Sequence, residues 1–245
     1  MTLLPLAANE AHLWRVDPKA ITDPEIRQAY WNLMTPQEQE KQQRFYFAKG
    51  RQEYLVTRAL VRSVLSRYYA AEPAAWRFKE NRYGRPEIDT PAQAAHLRFN
   101  LSHTDGLIVC LVARELEIGV DVENITRQTR SLEIAESHFS RQEVMDLSAL
   151  PKERQHNRFF EYWTLKEAYI KARGMGLALP LGQFSFHLEA GCPVRISFGP
   201  QIDDDPEAWQ FAQRFPTPDH LMAVAIRRGP VQDLTIHEKH GVPLA

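Results

Sequence analysis

Residues Phe159-Phe160-Glu161-Tyr162-Trp163-Thr164-Leu165-Lys166-Glu167-Ala168-Tyr169-Ile170-Lys171-Ala172-Arg173-Gly174 read as one amphipathic helix. Tyr162, Leu165, Tyr169 and Ala172 recur at the three-and-four spacing of a single apolar stripe. Arg173 followed by Gly174 supplies a C-terminal stop. Glu167 and Lys171 lie one turn apart, with Lys166 beside Glu167. The spacing therefore predicts two ammonium groups and one carboxylate on one side of the rod. Alone, such a face is an ordinary exposed Glu–Lys pair. It gains weight beside a second stretch, Ile118-Gly119-Val120-Asp121-Val122-Glu123.

That second stretch reads as a strand. Period two puts Asp121 and Glu123 on one face and Val120 and Val122 on the other, toward the core. Paired carboxylates repel unless a cation sits between them. Hard oxygen ligands suit magnesium, which takes one or two carboxylates plus water and phosphate oxygens. Glu167 is a candidate third ligand. The alternative is a solvated strand end.

Outward from these two segments, the chain has 245 residues, enough for one large domain or two small ones. Its net charge of -1 excludes the global basic field of a nucleic-acid binder. The two cysteines have no metal-ligand spacing and form no disulfide framework. The start has no basic leader and no run reaches membrane-spanning length, so the expected address is the cytoplasm.

Upstream, His12–Val16 alternates like a strand, and Asp23-Pro24 and Thr35-Pro36-Gln37-Glu38 open helices, the latter with a capping box. A helical tract follows over about 52–69, preceded and fronted by Lys49, Arg51 and Arg58. Leu97–Leu101 is a strand ending in a polar tip, Ser102-His103, closed by Gly106. Leu107–Ala113 and Ile118–Glu123 read as two strands of a hairpin joined by Arg114–Glu117. Ser140-Arg141-Gln142-Glu143 is a second capping box. Strands follow at 184–188, 194–198, 209–215 and 221–226. From Arg227 the chain is polar and reads as a surface tail. Interleaved helices and strands predict an α+β architecture in two halves, 1–115 and 116–245.

The remaining polar groups admit two readings. Ser102 and His103 contact a phosphate or ribose, or they are a turn cap and a surface imidazole. Lys49, Arg51, Arg58 and the Arg82/Arg85 turn clamp a polyanion, or they are solvated charge. No Gly-x-Ser-x-Gly elbow, P-loop or dinucleotide fingerprint is present in the sequence. A magnesium site beside several cations is what a diphosphate substrate needs.

The ordered set Phe99-Asn100-Leu101-Ser102-His103, Gly119-Val120-Asp121-Val122-Glu123 and Trp163-Thr164-Leu165-Lys166-Glu167-Ala168-Tyr169-Ile170-Lys171 resembles the Sfp-like 4'-phosphopantetheinyl transferases. Tyr83-Gly84-Arg85-Pro86 and Gly176-Leu177-Ala178-Leu179-Pro180 support the resemblance, which runs from about residue 44 to 186. It implies two similar α+β halves related by a pseudo-twofold axis, with coenzyme A in a cleft between them. It implies transfer of the phosphopantetheine arm of coenzyme A to a serine of an apo acyl, peptidyl or aryl carrier protein, releasing adenosine 3',5'-bisphosphate. Asp121, Glu123 and Glu167 match the family's magnesium-binding acids, Asp121 serving the metal and the cofactor together. Lys166 and Lys171 match the diphosphate lysines. Ser102 and His103 match contacts to the adenosine end, and Lys49, Arg51 and Arg85 match basic coenzyme A contacts. Arg85 stands where the family commonly has lysine.

The carrier serine needs a base. Glu167, Glu143 and a metal-bound water are the candidates. Competing readings are a non-catalytic coenzyme A or nucleotide-binding protein and a magnesium phosphohydrolase. The expected protein is a monomer that binds neither nucleic acid nor membrane.

Overall fold

A computed structural model describes residues 3–228, 234–241 and 243. In chain order it begins with β1 (Glu10–Val16), α1 (Pro24–Leu33), α2 (Pro36–Gln43), α3 (Ala48–Ser66), β2 (Arg77–Glu80), β3 (Pro86–Thr90), β4 (Leu97–Thr104) and β5 (Leu107–Arg114). Next come β6 (Ile118–Asn124), α4 (Ser131–His138), α5 (Arg141–Ala149) and α6 (Lys152–Arg173). The chain then forms β7 (Phe184–His187), β8 (Arg195–Phe198), β9 (Trp209–Thr217), β10 (His220–Arg227) and β11 (Thr235–His240). The architecture is mixed α+β. No helix among the described residues is long and apolar enough to cross a membrane.

The chain groups into two units. The first comprises Met1–Glu80, Pro86–Glu115 and Thr235–Ala245; the second comprises Asn81–Arg85 and Leu116–Leu234. In the first unit, a sheet of order β11-β1-β5-β4 carries α3 against β4 and β5. Asp23 and Thr35 cap α1 and α2 as their side chains predict, and the Thr35/Glu38 capping box is formed. The helical tract begins at Ala48, so Lys49 and Arg51 stand on α3. Its core joins Leu55, Leu60 and Val64 to Ile108, Cys110 and Val112.

Three differences from the sequence reading have clear causes. Strand β4 runs on through Ser102 and His103, which pair with Val109 and Ile108 of β5. The two-residue turn is Asp105-Gly106, with Gly106 at φ 85°. The expected hairpin between β5 and β6 does not form. Both edges of β5 are taken by β1 and β4, and β6 pairs instead with β10. Arg114–Glu117 is the link between the units. The expected C-terminal tail contains β11, which pairs in parallel with β1. This segment therefore belongs to the first unit rather than to the 116–245 half. Residues 229–233, 242, 244 and 245 of that stretch lie outside the described residues.

The second unit packs α6 across β6, β9 and β10, whose sheet order is β6-β10-β9. The helix buries Phe159, Phe160, Tyr162, Leu165, Ala168, Tyr169, Ile170 and Ala172. Each fully buried large side chain contributes on the order of 1.5–3 kcal/mol. Gly174 ends the helix in the left-handed region at φ 62°. The 81–85 turn docks at this end. Asn81 Nδ2 donates to Gly174 O at 2.9 Å, and Arg85 Nη1 donates to Ala172 O at 3.0 Å. Asp204 anchors the same end, accepting from Tyr169 Oη at 2.7 Å, from Trp209 Nε1 at 3.0 Å and from Arg173.

Candidate active site

The site is built where β6 meets α6. Gly119 makes the approach possible: a Cβ there would lie 2.0 Å from Ala168 O and 2.5 Å from Ala172 N. Period two then turns Asp121 and Glu123 to the same face as Gly119, toward the helix. The stripe Trp163, Glu167, Lys171, one residue per turn, faces them. Trp163 Nε1 donates to Glu123 Oε1 at 3.0 Å. Lys171 Nζ donates to Asp121 Oδ1 at 2.7 Å and to Val120 O at 3.2 Å.

The electrostatics show three carboxylates sharing one environment. Burial, then the Asp121 charge, pushes Glu123 up to about 7, against the opposing pull of Arg127, Trp163 and Lys171. Burial and Asp121 also raise Glu167, while Lys171 opposes the rise. Arg127 pairs with Glu123 at 3.0 Å from a half-exposed position. An all-oxygen donor set that penalises its own ionisation fits a hard divalent cation. The acids nonetheless do not form the tightest ligand cluster. Among the described residues, the one group of three such side chains with ligand atoms within 4.8 Å of one another is Glu10, His12 and His237, in the first unit.

Lys166 and Glu143 depart from the sequence reading. Lys166 is not beside Glu167 on the acid face. Neighbouring helix residues point about 100° apart, and Lys166 enters the core. Its ammonium pairs with Glu143 at 2.8 Å, both side chains 0% exposed, and donates to Leu181 O at 2.7 Å and Phe184 O at 2.8 Å. Its three donors are thus all used. Burial lowers its pKa to about 8 against the pull of Glu143. Glu143 accepts in addition from Ser140 N and Oγ and from Phe186 N. The buried pair holds α6 to α5 and β7.

Other predicted contacts are placed as follows. Lys49 pairs with Asp105 at 3.1 Å, beside Lys19 at 2.8 Å from the same oxygen. Arg51 Nη1 donates to Phe45 O at 2.7 Å and Tyr46 O at 3.1 Å. Ser102 is buried and His103 exposed on β4. Arg85 sits at the end of α6. Sequence reasoning missed Trp163 and Arg127 as partners of Glu123, and Gly119 as the contact point. A glycine inside an apolar strand was the available signal for the last, since it marks close backbone approach.

Residues 117–225 match the family profile of the 4'-phosphopantetheinyl transferase superfamily. Residues 22–116 match the profile of a 4'-phosphopantetheinyl transferase N-terminal region. The chain is similar to the 4'-phosphopantetheinyl transferase HetI of Nostoc, 33% identical over 225 residues, covering 91% of this chain and 90% of the relative. It is also similar to the 4'-phosphopantetheinyl transferase Sfp of Bacillus subtilis, 38% identical over 173 residues, covering 70% and 74%.

Proposed function

From the premise that this chain belongs to the 4'-phosphopantetheinyl transferase superfamily, we propose how its residues carry the transfer. The enzyme moves the 4'-phosphopantetheine group of its co-substrate coenzyme A to a serine of an apo carrier protein. The serine oxygen forms a bond to the phosphorus bearing the pantetheine arm. The bond from that phosphorus to the bridging oxygen breaks, and adenosine 3',5'-bisphosphate leaves. The serine proton must go to a base.

Glu167 is the proposed base. A carboxylate has two oxygens, so one can hold the metal while the other takes the serine proton. Asp121, Glu123 and Glu167 are the proposed magnesium ligands. When bound, magnesium would neutralise charge on the diphosphate oxygens. Lys171 is the proposed diphosphate cation, drawn from its resting pair with Asp121. Trp163 and Arg127 orient Glu123. Lys166 and Glu143 are positioning residues in this reading. Lys49, Arg51, Arg85, Ser102 and His103 remain proposed coenzyme A contacts on the strength of the motif match. The proposed acceptors are acyl, peptidyl or aryl carrier proteins, and the proposed working form is a cytoplasmic monomer.

The observation that carries this reading is the β6–α6 stripe, which couples all three acids and one lysine. The test is incubation with coenzyme A, magnesium and an apo carrier, then weighing the carrier. A gain of one phosphopantetheine arm is expected, and its absence favours mere binding or hydrolysis. Glu167→Gln should abolish the gain while its circular dichroism matches wild type. Wild-type turnover in that variant removes Glu167 from the chemistry.

A further inference from the structure

We propose that Glu10, His12 and His237 form a binding site for a borderline divalent transition ion, zinc being the representative, in the sheet of the first unit. The proposal is independent of the transferase site, whose acids belong to the second unit.

The site follows from strand geometry. β1 and β11 are parallel, with His12 paired to His237. Paired residues of adjacent strands share a face, and period two adds Glu10 to it. The two imidazoles stand edge to face, centroids 5.4 Å apart at 89°. His12 Nε2 lies 3.6 Å from Glu10 Oε2, and His237 Nε2 lies 3.5 Å from Glu10 Oε1. Zinc bonds of about 2.0–2.1 Å in tetrahedral geometry place their ligand atoms about 3.4 Å apart. Each separation, one to each oxygen of Glu10, is close to that edge, and one ligand atom from each of the three residues lies within 4.8 Å of the others, so the carboxylate has only to turn to present one oxygen to both nitrogens. Three protein ligands leave the fourth position to water.

The surroundings orient the ligands. His12 Nδ1 lies 2.7 Å from Tyr68 Oη, which also accepts from Trp14 Nε1 at 2.8 Å. With Nδ1–H donating to Tyr68, Nε2 of His12 presents its lone pair to the ion, as metal-bound histidines require. Ala7 N donates to Glu10 Oε2 at 3.2 Å and fixes the carboxylate. His12 is buried, Glu10 half-buried and His237 44% exposed, which leaves a solvent side for entry. Lys239 adds positive charge near His12, and Glu10 opposes it. Two nitrogens and one oxygen favour zinc over magnesium. The ion would cross-link β11 to β1.

The test uses the full chain, stripped with chelator and desalted, then titrated with Co2+ as an optical probe. One equivalent should give the intense visible band of tetrahedral cobalt. Zn2+ should abolish the band and a large excess of Mg2+ should leave it. His237→Ala and Glu10→Gln should each weaken Co2+ binding by at least the roughly 10–100-fold that loss of an outer-shell partner costs, since each removes a direct ligand. Asp121→Asn should keep the band, which separates this site from the acid group. Absence of the band in the wild-type chain overturns the proposal without recourse to any variant, and so does its retention in His237→Ala.

Discussion

Replacing Gly119 by alanine tests whether close approach of β6 to α6 assembles the site. The added Cβ would sit 2.0 Å from Ala168 O and 2.5 Å from Ala172 N. Both are main-chain atoms of a helix, so no side chain can rotate away. Restoring an ordinary contact of about 3.2–3.4 Å requires the strand and helix to part by roughly 1 Å, and such overpacking typically costs about 1–3 kcal/mol, occasionally more. Alanine's smaller unfolded-state entropy returns about 0.4–1 kcal/mol at most. A net loss of about 2 kcal/mol should appear as a lower urea midpoint with unchanged slope. The effect on activity should exceed the loss of folded fraction. The same displacement draws Glu167 and Lys171 away from Asp121, and a misplacement of about 1 Å can cost about 100-fold in rate. Rates would be read by carrier mass at urea-free conditions where the variant remains folded. Gly182→Ala is the control, since a Cβ there meets only ordinary contacts of 3.5 Å or more and its φ lies outside the left-handed region. A Gly119→Ala protein within about 0.5 kcal/mol of wild type, transferring at the wild-type rate, would refute the reasoning.

Glu123 supplies a pH prediction for the chelated protein. Its folded pKa, about 7, lies above the model-compound 4.5, so its stabilising contribution is present below pH 4.5 and is lost as pH rises through 7. At about 1.4 kcal/mol per pH unit this amounts to about 3 kcal/mol. The unfolding free energy of wild type minus that of Glu123→Gln should fall by that order between the two pH values; a pH-independent difference would contradict it. Lys166→Met should cost about 3–5 kcal/mol by stranding the Glu143 carboxylate, and the double variant with Glu143→Gln should recover part of the loss. KM for coenzyme A in the folded double variant should match wild type; a large rise would return Lys166 to substrate contact.

What the sequence disclosed was local, and what it hid was long-range. The cap chemistry of Thr35 and Ser140 and the apolar stripe of α6 are written in residues three or four apart, and both formed as read. The face shared by Asp121 and Glu123 needs only the strand period. Lys166 was misread because an ammonium in a helix defaults to solvent, and the carboxylate that keeps it buried lies 23 positions upstream. The partner of β6 lies about a hundred residues downstream, so a neighbouring strand was taken for it. β11 is hard to read because its residues are all exposed or half-buried and show almost no alternation. Its pairing is specified by β1, at the other end of the chain.

Helix α6 divides its charges by angle, and that division bears on the cation proposed for the acid group. Lys166, on the core face, is neutralised by Glu143 and saturated by two carbonyls, so it has nothing left to offer the acids about 100° away. On the opposite stripe, Lys171 is committed to Asp121, while Arg127 reaches Glu123 from solvent, where its charge is screened. The three carboxylates thus face Lys171 and a screened Arg127. Burial and the Asp121 charge push Glu123 up to about 7, so a divalent ion bound there would compete with a proton near neutral pH. Magnesium binding should therefore release protons, and the number released, read in buffers of different ionisation enthalpy, should rise as the starting pH falls from 8 toward 6. Proton release that is absent in wild type, or unchanged in Glu123→Gln, would show that a Glu123 proton is not what the ion replaces.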